Sequence, residues 1–85
     1  MTWNQAREAF PQTWLLFEAI DARSEGKQRI VENVAVVDAF EDSGSALSRY
    51  RELHRANNSR ELYVAHTSRE SLSIIETYWA GIRPA

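Results

Sequence analysis

The sequence predicts one small α+β domain: a four-stranded, mostly antiparallel sheet, one main helix on one face, and a short N-terminal helix. Three observations lead there. The chain has 85 residues, enough for a single core and no more. Two β-rich runs, residues 14–22 and 29–40, flank a polar stretch holding Gly26, the pattern of a hairpin. From residues 41–44, where a helix begins, to about Ala56 the apolar positions change to spacings of three and four, as Ala46, Leu47, Tyr50, Leu53 and His54 show; that is a helix with one buried stripe.

The elements follow in the order α-β-β-α-β-β. Residues 2–10 form the first helix. Thr2 is placed to cap it, and Trp3, Ala6, Arg7 and Phe10 share a side. Pro11 ends it, because the residue before proline is driven out of the helical region. In WLLFEAIDA, residues 14–22, both parities are largely apolar, which suits a central strand. In residues 29–40 Ile30, Val34, Val36 and Phe40 share one parity and Val31, Val37 and Ala39 the other. The adjacent polar pair Glu32 and Asn33 places a bulge or bend there.

Asp42 or Ser43 caps the main helix, and Asn57, Asn58 and Ser59 close it with an asparagine in the left-handed C-terminal position. Residues 61–67 read as a third strand with Leu62, Val64 and His66 on one face and Tyr63, Ala65 and Thr67 on the other. Residues 68–71 turn, and 72–79 read as a fourth strand, a helical period also fitting Leu72, Ile75 and Trp79. The expected spatial order is 2-1-3-4. One long helix covers one sheet face, leaving a second apolar face that the N-terminal helix covers in part. A contact surface follows, of Trp14, Leu16, Val34 and Val36 or of the residues of opposite parity, and with it a homodimer.

Several functional classes lose support. No apolar run approaches the roughly 20 residues of a membrane-spanning helix. The N-terminus lacks the basic start and apolar run of a signal peptide, and there is no cysteine to form disulfides or thiolate sites. A cytoplasmic location is expected. The glycines stand alone, so no phosphate-cradling loop and no cofactor is expected.

Three groups of residues carry possible chemistry. His66 beside Ser68 offers a general base and a nucleophilic hydroxyl, a hydrolase reading weighed against ordinary surface histidine. Glu41 and Asp42 form a carboxylate pair where a helix begins, and there capping is the simpler role. Arg49, Arg51, Arg55, Arg60 and Arg69 offer a surface for an anionic partner, nucleic acid included. Interleaved Glu52, Glu61 and Glu70 and a net charge of −2 favour a solvated, ion-paired face instead.

Four segments carry a family resemblance: Phe10-Pro11-Gln12-Thr13-Trp14-Leu15-Leu16, Phe40-Glu41-Asp42-Ser43, Tyr50-Arg51-Glu52-Leu53-His54, and Arg60 to Glu70 reading RELYVAHTSRE. Together they resemble a family of small bacterial proteins of unknown function. That family's opening reads Tyr-Pro-Gly-Lys-Trp, so Gln12 stands where the family has glycine. Such proteins look like ones encoded beside a small retropepsin-like aspartic-protease domain. The resemblance implies a paired or regulatory role with a protein partner encoded nearby, antitoxin-like or protease-associated, and carries no catalytic motif. The expected function is a non-enzymatic protein-interaction module.

Overall fold

A computed structural model describes residues 1–72 and the backbone of residues 74–75. Its elements are α1 (Trp3–Ala9), β1 (Trp14–Glu25), β2 (Gln28–Phe40), α2 (Ser43–Ala56), β3 (Leu62–His66) and β4 (Ile74–Ile75). The fold is α+β, and every strand pairing is antiparallel. Three strands of five residues or more form the body of the sheet, with β1 central between β2 and β3.

The hairpin is longer than expected. Glu25 pairs with Gln28, so only Gly26 and Lys27 turn. Gly26 has φ of +59° while Lys27 does not enter the positive region. A glycine at the first central position is what a II′ hairpin needs, and that turn's twist suits the flanking strands.

The β1–β2 register shifts in three places. Ala19 pairs with Val34, Asp21 with Asn33 and Ala22 with Val31. Ile20 and Glu32 are thereby left over, where Glu32 and Asn33 place a bend. Leu16 pairs with Asp38 but Phe17 with Val36. Val37 is thus an extra residue that the β-rich pattern does not reveal, and it reverses which face Val36 and Val34 present.

Both sheet faces are covered within the chain. On one, Trp3 and Ala6 of α1 pack with Leu15, Phe17, Val34, Tyr63 and Ala65. On the other, Tyr50 of α2 packs with Leu16 and Leu62, flanked by Val37, Phe40, Leu53 and Val64. The short helix is held by its ends. Thr2 and Gln5 form a reciprocal capping box. The Met1 amine donates to the Val34 carbonyl at 3.0 Å, and the Val34 amide donates to the Met1 carbonyl. Trp3 Nε1 donates to the Arg69 carbonyl, and Arg7 Nε to the Thr67 carbonyl. The expectation that one apolar sheet face stays open is therefore corrected.

Two local expectations also change. Asn57 is extended, with φ of −154°, rather than left-handed. Its side chain instead accepts from the Ser59 amide and hydroxyl, closing an Asx turn that supplies the stop without a left-handed residue. The segment after β3 does not lie beside β3. Leu72 packs into the core under α1, and Ile74 and Ile75 pair with Arg29 and Gln28 on the far edge of the sheet. Anchoring of Arg69 by Trp3 directs the chain across the α1 face, which changes the order to β3-β1-β2-β4. Of the strand expected over 72–79, residues 73 and 76–79 lie outside the described residues.

Candidate interaction surface

The four residues expected to share an open face do not share one. Leu16 is 0% exposed beneath α2, and Val34 is 1% exposed beneath α1. Val36 packs at the edge of the α1 core. The bulge at Val37 accounts for the split, because it puts Val34 and Val36 opposite Ala19 and Phe17 rather than in register with Leu16. Trp14 alone of the four belongs to a different setting.

Trp14 opens β1 at the end of the sheet where residues 10–13 connect it to α1. Phe40 is its partner on β2 and His66 its partner on β3. Directly paired residues project to the same face, so the three rings form a row across three strands. None of them is buried. Trp14 and His66 meet edge to face, with centroids 5.1 Å apart and planes at 73°, a geometry that aromatic quadrupoles favour. Acidic residues flank the Phe40 end of the row: Asp38 and Glu41 are both exposed. Beyond His66 the turn is exposed from Ser68 to Ser71, Arg69 and Glu70 included, and the Arg69 carbonyl accepts from Trp3 of α1.

The connection behind this row is tightly specified. Thr67, 3% exposed, donates its hydroxyl to the Phe10 carbonyl at 2.7 Å and accepts from the Thr13 amide at 3.0 Å. Its own amide donates to the Thr13 carbonyl. Between these anchors Gln12 has φ of +51°. A side chain in the left-handed region costs about 1–2 kcal/mol, and surrounding structure must hold it there. The two hydrogen bonds of the Thr67 hydroxyl, to residues 10 and 13, do so. No periodicity marks Thr67 as the tie between these loops; only its parity on β3, beside Tyr63 and Ala65, hints that it points inward.

His66 and Ser68 do come together, with Nδ1 2.8 Å from Oγ. The same nitrogen also accepts from the Ser68 amide at 3.1 Å. A ring nitrogen has one lone pair in the ring plane, so this Nδ1 is already committed to closing the turn. No described residue hydrogen-bonds the other ring nitrogen, so nothing orients the imidazole as a base. His54 lies elsewhere, stacked on Tyr50 with planes at 11°, its Nδ1 buried without a hydrogen-bond partner.

The arginines are dispersed. Arg49 pairs with Glu52 at 2.9 Å on α2, and Arg60 with Glu18 at 2.9 Å across to β1. Arg51 and Arg55 lie exposed on α2, and Arg69 in the turn after β3. A further pair was not legible in the sequence: Arg29 on β2 grips Glu61 through Nε at 2.9 Å and Nη2 at 2.8 Å, and Tyr63 donates to the same carboxylate. Sequence separation hides that contact, since β1 lies between the two strands.

Asp42 caps α2. Its carboxylate accepts from the Ser45 amide at 2.8 Å and the Ser45 hydroxyl at 3.0 Å. These bonds, the amide first, hold it below the ordinary carboxylate range. Glu41 takes no part in that cap. Among the described residues no three His, Cys, Asp or Glu side chains are placed to hold a metal ion, and no helix is long and apolar enough to cross a membrane.

Comparison with protein-family models, with curated proteins and with solved structures finds no match to this chain.

Proposed function

We propose that this protein is a non-enzymatic protein-interaction module, and that the row of Phe40, Trp14 and His66 is its contact surface. One observation carries the reading: in a domain whose two sheet faces are both covered internally, this row leaves three adjacent rings partly open at one end. Aromatic residues with one side packed and one side available are the usual anchors of protein contacts. The strained Gln12 and its Thr67 tie lie beside the row, and such strain clusters at sites where geometry must be kept. A paired or regulatory role, with a protein encoded nearby, is the setting that the family resemblance implies.

The His66 and Ser68 pair fits a turn better than a catalytic dyad, for the lone-pair reason given above. The nucleic-acid reading is weaker again, because Arg49 and Arg60 already neutralise Glu52 and Glu18, and dispersed arginines do not track a phosphate backbone.

The test is affinity capture from the native cell with the wild-type chain and with Trp14→Ser. A protein that co-purifies stoichiometrically with the wild type and is lost with the variant supports the reading. An identical set of captured proteins from both would overturn it.

A further inference from the structure

We infer that α1 exchanges between two copies of this chain. Each copy's α1 leaves its own sheet and seats on the same face of the other, with Pro11 and Gln12 as the hinge. Two neighbouring features carry this: a short helix held by long-range bonds, and a strained two-residue connection that leads out of it. The exchange does not depend on the Trp14 surface.

The socket selects its occupant. The face formed by Leu15, Phe17, Val34, Tyr63 and Ala65 receives Trp3 and Ala6. Its rim supplies four hydrogen bonds to α1 and its start. The carbonyl and amide of Val34 pair with Met1, the Arg69 carbonyl accepts from Trp3 Nε1, and the Thr67 carbonyl accepts from Arg7 Nε. These bonds span 33 to 66 residues of sequence. Each therefore forms equally well with the α1 of an identical chain, which carries the matching groups by construction. Swapping one element between identical protomers needs no new surface. α2 has no such route, because it is joined to β2 at one end and to β3 at the other.

Thr67 marks where the hinge begins and ends. Its hydroxyl holds both the Phe10 carbonyl and the Thr13 amide. In the closed chain Pro11 and Gln12 must therefore reverse direction between two points fixed on one side chain. Gln12 meets that demand at φ of +51°. In the exchanged pair the Phe10 carbonyl on Thr67 comes from the other copy. The reversal is no longer required, and Gln12 returns to an extended conformation. Pro11 keeps the opened hinge stiff, because its ring fixes φ, so less entropy is lost in ordering that segment. Both hinge residues are exposed.

Closed and exchanged forms share the same contacts, so hinge strain and the entropy of association decide between them. Relief of one left-handed side chain shifts an equilibrium roughly 5- to 30-fold, and two hinges in one dimer give roughly 25- to 900-fold. Set against an effective concentration on the order of 1 mM for a docked segment on a short connection, that relief puts dissociation of the exchanged dimer at about 1–40 µM.

The test is sedimentation velocity of the purified chain over about 1–500 µM, a range that brackets this value. A reversible dimer is expected. Its kind is read by cross-linking, since the chain has no cysteine of its own. Asn4 on α1 and Ser71 beyond β3 are exposed and line one groove. Asn4→Cys and Ser71→Cys chains, mixed and treated with a short bis-maleimide, are expected to join covalently, because exchange seats the α1 of one beside residue 71 of the other. Neither chain alone is expected to cross-link. Gln12→Gly, which closes the turn without strain, is expected to weaken dimerisation at least about tenfold. A chain that stays monomeric throughout overturns the inference. So does a dimer whose mixed chains fail to join, or one that Gln12→Gly leaves unchanged.

Discussion

The two faces of the sheet are covered by very different means. On one, α2 brings fourteen residues and lays a single stripe, with Tyr50 at its centre, over Leu16 and Leu62. On the other, α1 has seven residues, too few to be stable alone. It seals its face because Trp3 fills the space above Phe17, with ring centroids 5.4 Å apart, and because long-range hydrogen bonds fasten both its ends. Helix length is therefore a poor guide to which face is sealed. What matters is whether the helix carries one large side chain and whether its termini are tied down.

The comparison breaks most sharply at Trp3. If α1 is a true cover, Trp3→Ala removes a large buried ring and opens a cavity, at a cost of about 3–5 kcal/mol. Much of the stability of a domain this small would go with it. A loose appendage would lose no more than about 1 kcal/mol on the same change. Urea unfolding followed by far-ultraviolet circular dichroism separates the two outcomes, and a loss below about 1 kcal/mol would show that α2 alone maintains the sheet.

Thr67 tests the fastening rather than the filling. Thr67→Val keeps the shape but leaves the Phe10 carbonyl and the Thr13 amide without their partner. A cost of about 1–3 kcal/mol is expected, since each group is partly shielded from water. Hydrogen exchange resolved by residue sharpens the comparison: the amides of α1 and of residues 10–13 lose protection first, while those of α2 keep theirs. Uniform loss over both helices would mean that the tie serves the whole fold and not one face.

Much of this arrangement was legible in the sequence, because local chemistry decides it. Thr2, Pro11, Gly26 and the pair Asp42 and Ser43 each mark a boundary by local chemistry, and the structure caps α1 at Thr2 and α2 at Asp42, ends α1 before Pro11 and turns at Gly26. The alternation of Leu62, Val64 and His66 against Tyr63 and Ala65 likewise survives. What was not legible depends on contacts far apart in the chain. Val37 is a β-branched residue in a β-branched run, and nothing local shows that it is left over, yet that one extra residue moved Val34 and Val36 to the opposite face. The partners of Trp3 and Thr67 lie more than fifty residues away. Of the proposed contact surface only Trp14 was foreseen, and its neighbours Phe40 and His66 follow from register alone.

Gln12 offers a gain instead of a loss. At φ of +51° its side chain opposes the backbone, whereas glycine adopts that region freely. Gln12→Gly is expected to stabilise the protein by about 0.5–1 kcal/mol, the relief of left-handed strain less the added freedom of the unfolded chain. The gain concerns the loop that leads out of α1, so it is expected to slow hydrogen exchange there and to leave α2 unchanged. A destabilised Gln12→Gly chain would mean that the glutamine side chain supplies contacts worth more than the strain.

The smallest effect concerns charge, and it separates the helices by how each begins. α1 starts at the neutral cap of Thr2, while α2 starts at the ionised cap of Asp42. The Asp42 carboxyl is held below its usual range by the Ser45 amide and hydroxyl. A folded-state value lower than the unfolded one means that the carboxylate form stabilises the fold above the ordinary carboxylate range. That contribution is lost as pH falls through the depressed value. Acid is thus expected to loosen the first turn of α2 before it touches that of α1. Asp42→Asn keeps an oxygen for the Ser45 amide but cannot titrate, so the variant is slightly less stable at neutral pH and its first-turn amides exchange with a flatter dependence on acid. Exchange at the start of α1 that rises as early as that of α2 would show that the difference between the caps has no consequence, and that acid acts on the two covers together.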